Sequence, residues 1–548
     1  MATSAADLPP LSSPLSALKP HYDVIIVGSG YGGAVSAARL AARGLRVAVL
    51  ERGREVRTGE FATRFPDMRR ELRIRGEKLS TGAADGIYDV RLGRDMHVLV
   101  GNGLGGGSLV NAGVTLRPDA RVFDDEIWPG QIRQDPTLDE GYRRAAAMLR
   151  PARDPEAQTH AKFQALARAS KGVGQPPIAP TVAVSFEETV NPAGITQPAC
   201  TRCGDCCGGC NVGAKNTVAL TYLPMAVSAG AECFTGLTVQ RVAKGDAASN
   251  RRWRIYIEPT SGPRHCDAQL PASLTATHVI LAAGSLGSTE ILLRSREAGL
   301  AVSDQLGHRF SANGDIIAFG YGAERAVNGI GVGHPIKDGL GPVGASVSGQ
   351  IEIDDPNCLE NELRIQEGAL PSAMAPILPV MFMPNGRLLG AFQALVNGVY
   401  KGPLKGLQTF FAVSHDTASG VLELENGALR IRWPNAVDEP VYKRLDDHLR
   451  AITAELGADY IKNPLSGTVM GQQPATAHPL GGNPMGADRT TGVVNHRGEV
   501  FDDGGPSSVA VHDGLRVIDG SIIPRSLGVN PLYTITALSE RAMMHWDE

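Results

Sequence analysis

Residues 22–53 read YDVIIVGSGYGGAVSAARLAARGLRVAVLERG, and this stretch leaves few folds open. Residues 24–27 form a short apolar run suited to a buried parallel strand. The run breaks into Gly28-Ser29-Gly30-Tyr31-Gly32-Gly33, a G-x-G-x-x-G turn. Residues 34–42 have helical composition, and Gly44 stands where that helix would end. Residues 47–50 make a second apolar strand closed by Glu51. Strand, glycine turn, helix, strand and terminal acid together predict a βαβ dinucleotide-binding unit. In such a unit Gly28 permits the tight turn, Gly30 lets main chain approach a pyrophosphate, and Gly33 lets the helix close on the strand. The helix N-terminus offers free N–H groups and a positive dipole end to the phosphates. Glu51 is placed to accept hydrogen bonds from a ribose. Alone, the unit fits NAD and FAD equally.

Three later stretches narrow the choice. GNGLGGGSLVNAGVTLRPD, residues 101–119, is dense enough in glycine to lay main chain against a large planar or anionic group. THVILAAGSLGSTEILLRS, residues 277–295, is a second strand–turn–helix of dinucleotide type. In DGLRVIDGSIIPRSLGVNPLYTITALSERA, residues 513–542, a short strand ends at Asp519-Gly520 and a helix starts after Gly528-Val529-Asn530-Pro531. Pro531 suits the first turn of that helix. With AHPLGGNPMG at residues 477–486, these stretches resemble the glucose-methanol-choline (GMC) flavoenzyme family, whose bacterial cholesterol-oxidase branch is the nearest. The resemblance spans both ends and the middle of the chain in the right order. It implies an α/β (α+β) fold: a Rossmann-like FAD-binding domain with a discontinuous, mixed-sheet substrate domain.

The same resemblance implies FAD in an extended conformation. Gly28, Gly30 and Gly33 match the pyrophosphate turn and Glu51 the ribose acid. Gly106, Gly107 and Asn111 match the loop beside the flavin. Val239 matches a backbone contact to adenine, and Asp519 and Gly520 match contacts to ribityl and phosphate. The helix opening at Pro531 would aim its positive end at the flavin pyrimidine. The implied chemistry is oxidation of an alcohol, in which a base takes the hydroxyl proton while hydride passes to the flavin. A base working near neutral pH favours histidine. The chain has 13 histidines. His478 matches the catalytic position and Asn530 the second active-site position. His415, His496 and His512 have no assignment. The branch commonly reads HPLGGC where this chain has Asn483 in the sixth place, which weakens any claim to the same substrate. The branch also uses a buried glutamate in its substrate domain; Glu367, in RIQEGALP, is an acid between apolar residues, but it does not align with that role and reads as a strand-end surface glutamate.

Five cysteines crowd into CTRCGDCCGGC, residues 200–210. Cys200, Cys203, Cys206 and Cys210 have the C-x2-C-x2-C-x3-C spacing of bacterial ferredoxin runs. One iron–sulfur cluster carrying electrons away from the flavin is one reading. A zinc site and a loop of reduced thiols are the others, although structural zinc usually takes two separated C-x2-C pairs. An iron–sulfur electron-transfer protein is therefore the alternative to an alcohol oxidoreductase.

The remaining expectations concern organisation. The 548 residues exceed one hydrophobic core. A formal charge of −4 with no basic stripe excludes a nucleic-acid binder. Residues 1–20 read as a disordered Pro/Ser leader without a signal peptide. No apolar run is long enough to span a membrane, and the expected location is cytoplasmic. The expected divisions are FAD-binding segments at 21–135, 211–312 and 475–548, a cap segment with the Cys-rich loop at 136–210, and a substrate domain at 313–474. Strands are expected within 345–353 and 421–433. Residues 370–411, rich in Leu, Ala, Met, Phe and Pro, read either as an apolar substrate cavity or lipid-contacting lid, or as ordinary core. Expected partners are a small-molecule alcohol, bulky and apolar such as a sterol, and an electron acceptor, either oxygen or a redox carrier.

Overall fold

The computed structural model describes residues 3–77, 79–133, 135–246, 249–261, 270–382, 398–462 and 471–547. Strand β1 (His21–Val27) leads into helix α1 (Tyr31–Ala41) and back into β2 (Val47–Leu50). The two strands pair in parallel, Val24 opposite Val47 and Val27 opposite Leu50. Their apolar residues are buried because helices cover both faces, which is why these strands read as continuous hydrophobic runs. On the far side of β1 lies β3 (Ser273–Leu281), also parallel, which feeds α2 (Gly284–Glu297).

Strand β3 forks the sheet. Its C-terminal residues, Val279–Leu281, pair in parallel with β4 (Val511–Val517). Its N-terminal residues pair antiparallel with Trp253–Pro259, itself hairpinned to Leu237–Lys244. The parallel strands therefore deliver Val27, Leu50, Leu281 and Val517 to one edge. Ligands of open α/β sheets bind outside the carboxyl ends of such strands. The last helix, α3 (Leu532–Met544), packs against both α1 and the helix Pro136–Leu149. There Tyr142 and Thr534 hydroxyls meet at 2.9 Å.

Two further sheets enclose that edge. One has five antiparallel strands in the order Gln350–Ile353, Leu363–Gly368, Gln408–Val413, Ile316–Tyr321 and Asp459–Ile461. The helix Pro440–Ala454 covers its back with Leu445, Leu449 and Ile452, all fully buried among Ile316, Ala318, Phe410 and Ala412. The other sheet, made mainly of residues 72–101, closes over the mouth and is extended by Ala475–Thr476.

Several expectations need correction. Residues 3–20 are not a loose leader: Thr3–Ser4 pairs with Ile195–Thr196. Leu11 and Ser12 donate their N–H groups to the Glu55 carboxylate at 2.8 and 3.0 Å. A carboxylate partner and burial of Ala5 beside Ile195 and Leu220 tie down a Pro/Ser stretch that composition alone leaves free. The 345–353 strand shortens to Gln350–Ile353. Residues 421–433 form a separate hairpin, Val421–Glu425 with Ala428–Arg432, outside the substrate sheet. Of residues 370–411, residues 383–397 lie outside the described residues. Among the described residues no helix is long and apolar enough to cross a membrane.

Candidate active site

A continuous cavity of ≈ 750 Å³ opens at the strand edge. Its floor is the glycine turn. Gly28 has φ +95°, and a Cβ there would lie 2.4 Å from Ala282 O. A Cβ on Gly33 would lie 2.1 Å from Gly28 O, so only glycine brings α1 this close. At Gly30 and Gly107 a Cβ would meet nothing within 4 Å, because both face the cavity. Glu51, 6% exposed, accepts Ser29 N–H at 3.1 Å and Ser29 Oγ at 2.6 Å on one oxygen, and Gly53 N–H at 2.8 Å on the other. These donors fix the orientation of its carboxylate where it faces the cavity. Val239 lines the same cavity. Asn111 donates to Tyr31 Oη at 2.8 Å, and its backbone carbonyl accepts from the buried Lys215 Nζ at 2.6 Å. The predicted residues Gly28, Gly30, Glu51, Gly106, Gly107, Asn111, Val239, Asp519, Gly520, Asn530 and Pro531 all line this one cavity, while Gly33 supports its floor from behind.

Asp519 lines the cavity, and its carboxylate also holds the local fold. Its carboxylate already accepts Gly284 N–H at 2.9 Å, Ser288 Oγ at 2.5 Å, Ser521 N–H at 2.8 Å and Ser521 Oγ at 2.5 Å. Burial pushes its pKa above the usual carboxylate value despite these bonds. Asp519 therefore clamps the start of α2 and the Gly520 turn into place.

The far end of the cavity holds His478 and Asn530. Asn530 stands just before α3, whose N-terminal residues Pro531 and Leu532 also face the cavity. Asn530 Nδ2 lies 3.5 Å from His478 Nε2. On the other side of the ring, His478 Nδ1 lies 3.2 Å from Asp315 Oδ2, at ion-pair distance but outside hydrogen-bond geometry. Asp315 is held by Ala477 N–H at 2.8 Å and Thr476 Oγ1 at 3.2 Å. Acid, imidazole and amide thus converge, and the arrangement can accept a proton and stabilise the imidazolium that results. None of the other candidate histidines lines the cavity. His415 meets Ser526 at 3.4 Å, His496 meets Arg541 at 3.1 Å, and His512 meets Ala301 O at 2.6 Å. Burial and the nearby Arg525 push His415 down to about 4.

Two groups escaped the sequence reading. Arg52, Arg73, Arg75 and Arg91 line the cavity around one buried carboxylate, Asp89. Register explains it: Arg73 lies opposite Asp89 and Arg75 opposite Arg91 on neighbouring strands, so all four share a face. Burial alone would raise the pKa of Asp89, but Arg91, Arg75 and Arg52 outweigh it and hold the carboxyl well below the usual range. Burial and Arg75 push Arg91 down to about 10, with Asp89 and Glu290 opposing. The R-x-R and D-x-R alternations in LRIR and YDVRL were the available signal. Asp315 is the other omission, and it lies in no motif.

Glu367 also needs correction. It is fully buried, and both its oxygens accept from the fully buried Lys162 Nζ at 2.7 Å. The ammonium, 205 residues away in sequence, supplies the partner that made an apolar-flanked glutamate tolerable in the core.

The proposed ligand set Cys200, Cys203, Cys206 and Cys210 does not assemble. Among the described residues, no three His, Cys, Asp or Glu side chains gather to hold a metal ion. Cys200 and Cys210 pack against the apolar cluster of Val212, Val347 and Phe186, whereas Cys206 Sγ accepts Ser346 N–H at 3.4 Å. Burial pushes the thiols up, Cys203 to about 12 and Cys207 to about 11. The run is instead knitted in by its backbone: Cys203 O accepts Val332 N–H at 2.8 Å, and Cys207 O accepts Tyr88 Oη at 2.6 Å. Cys206 O accepts the same Lys215 Nζ that braces Asn111, at 3.0 Å.

Fold and cavity define a dinucleotide-dependent oxidoreductase, and comparison with known proteins agrees. The N-terminal model of the GMC oxidoreductase family matches residues 22–313, and its C-terminal model residues 434–539. The chain belongs to this family, whose enzymes depend on FAD. It is 28% identical to a cholesterol oxidase of Acinetobacter baumannii across 96% of this chain and 94% of the relative. Identity to a cholesterol oxidase of Mycobacterium tuberculosis is 27%, across 96% and 92%. A long-chain-alcohol oxidase of Arabidopsis thaliana is 26% identical across 94% of this chain and 65% of its own length. The fold is shared with a fungal aryl-alcohol oxidase, with a TM-score of 0.59 at 15% identity, over 97% of this chain and 100% of that one.

Proposed function

We propose that the protein oxidises the hydroxyl of a bulky apolar alcohol, such as a sterol or a long-chain alcohol, to a carbonyl. One observation carries the reading. The cavity that begins at the glycine turn ends at His478 and Asn530, and there its wall is apolar, built from Ile317, Ala369, Leu370, Pro371, Met374 and Phe411. A sugar site would set hydrogen-bonding groups in that wall. The names of the cholesterol and long-chain-alcohol oxidase relatives point to the same substrate class.

FAD, when bound, supplies the two-electron acceptor. Gly28 and Gly30 fit its pyrophosphate, with Gly33 packing behind them, Glu51 fits its ribose and Val239 its adenine, while Gly106, Gly107, Asn111 and Gly520 border the stretch toward the flavin. The hydroxyl binds between His478 and Asn530. Asn530 donates an amide hydrogen to the substrate oxygen, and His478 takes the hydroxyl proton on Nε2. Asp315, only 2% exposed, stabilises the imidazolium from behind. The apolar wall excludes water and orients the carbon skeleton. The N-terminal end of α3 favours negative charge at that end of the cavity.

The test is flavin bleaching under anaerobic conditions across a panel of sterols, long-chain alcohols and small polar alcohols. Bleaching by the apolar members is expected, and His478→Ala should slow it by about 10²–10⁴-fold with FAD retained. Full-rate bleaching in that variant removes His478 as the base. Bleaching confined to small polar alcohols removes the substrate class. Peroxide formed under air identifies oxygen as the acceptor, whereas dependence on an added acceptor identifies a redox carrier.

A further inference from the structure

We infer that a directional chain of side-chain amides, anchored on Glu352, dictates which ring nitrogen of His478 carries the proton. The inference rests on the function proposed above and adds a cause for the state of its base.

The chain starts at a group with no choice. An ionised carboxylate only accepts hydrogen bonds. Gln350 Nε2 donates to Glu352 Oε1 at 2.8 Å, two residues along the same strand face. That contact fixes the Gln350 carboxamide, so its Oε1 points the other way and accepts Gln366 Nε2 at 2.8 Å. Gln350 and Gln366 sit directly opposite each other in the ladder. The same Gln366 nitrogen gives its second hydrogen to Asn530 Oδ1 at 2.6 Å. With its oxygen taken, Asn530 turns Nδ2 onward, 3.5 Å from Gln366 Oε1 and 3.5 Å from His478 Nε2.

The last link meets the ring. A donor facing Nε2 requires that nitrogen to accept, so the proton of the neutral imidazole sits on Nδ1, beside Asp315. Reversing any one carboxamide would set oxygen against oxygen or nitrogen against nitrogen. Gln350 and Gln366 are 0% and 1% exposed, so a mispaired group would have no solvent to turn to. Nε2 is thereby kept unprotonated before substrate arrives, its lone pair held by Asn530 Nδ2 until the substrate hydroxyl takes that place. Gln366, Gln350 and Glu352 are positioning residues. Gln350 and Glu352 touch neither His478 nor the cavity.

The experiment reads ring-nitrogen chemical shifts of His478 in FAD-loaded enzyme carrying 15N-labelled histidine, with His478→Ala assigning the signals. The expected wild-type spectrum has Nδ1 protonated and Nε2 unprotonated. Gln366→Met, similar in volume but unable to orient Asn530, should give mixed tautomers and about tenfold slower flavin reduction at unchanged KM. Gln350→Met should shift the tautomers the same way with a smaller loss, about threefold. Glu352→Leu, at a half-exposed position, removes the anchoring acceptor and repeats the test where a core variant misfolds. A wild-type ring protonated on Nε2, or variants with wild-type spectra, overturns the inference. If His478→Ala keeps full activity while Nδ1 carries the proton, the proposed base fails and the orientation stands. If His478→Ala is inactive while Nε2 carries the proton, the base stands and the orientation fails.

Discussion

Lys162→Met puts one positive charge at stake in a place where water cannot replace it. Lys162 and Glu367 are both 0% exposed. The ammonium gives hydrogen bonds to both Glu367 oxygens at 2.7 Å and to Ser348 Oγ at 2.9 Å. Methionine fills the volume, but Glu367 then keeps only neutral backbone donors, Ser348 N–H at 2.8 Å and Gly349 N–H. Leaving a buried charge without its partner costs about 3–5 kcal/mol. The loss should depend on pH. Burial raises the pKa of Glu367, with Lys162 pulling it back, and without Lys162 the value rises further. The folded state then holds a proton that the unfolded chain has released, so stability falls as pH rises between the unfolded and folded pKa values. Urea unfolding followed by circular dichroism should show the deficit in full near pH 8 and reduced near about pH 5. Lys162→Met/Glu367→Gln removes both charges while keeping an acceptor for Ser348, and should recover most of the loss. A deficit that ignores pH, or a double variant no better than the single, refutes the reasoning.

Three further outcomes follow from the site. Arg75→Met removes one guanidinium from the cavity wall while Asp89 keeps Arg52 and Arg91; FAD should bind about tenfold more weakly by fluorescence titration, with a shallower salt dependence. Glu51→Ala should weaken FAD by about 10–100-fold, because a carboxylate hydrogen bond to the ribose and the acceptor for Ser29 and Gly53 are both lost. Asn483→Cys should cost about 1–3 kcal/mol, read by urea unfolding, since buried Asn483 donates to Ser521 Oγ at 2.8 Å and Thr289 Oγ1 at 3.2 Å. The same substitution should leave alcohol preference unchanged in the substrate panel, because Asn483 does not line the cavity.

What could be read from the sequence was what a short window contains. The turn at residues 28–33, the helix after Pro531 and the strand end at residue 519 each carry their geometry in neighbouring residues, and the structure joins them at one strand edge. Groups defined by distant partners were illegible. Glu367 looks superficial in RIQEGALP because Lys162 lies 205 residues away. The leader looks loose because Glu55, which orders it, sits beyond the first βαβ unit. The cysteine run shows the opposite failure: ferredoxin-like spacing suggests a centre, yet spacing does not aim side chains. Backbone pairing of residues 202–203 with 332–344 sets the path of the run, in which the thiols lie near one another without gathering into a metal-binding group among the described residues.

Lys215 gives that run its part in the site. Its buried ammonium spans Cys206 O, Leu109 O and Asn111 O at 3.0, 3.1 and 2.6 Å. It thereby ties the cysteine loop to the Asn111 loop that borders the cavity. A cation held by carbonyl dipoles alone is tolerable only while all three carbonyls stay in place. The cysteine segment is therefore part of the frame that fixes the loop bordering the cavity. Its small residues are needed where it passes close: at Gly209 a Cβ would meet Phe61 Cδ1 at 2.0 Å. Lys215 and Gly209 thus give the backbone of 200–210 a structural part in the cavity wall, and among the described residues its side chains form no metal-binding group.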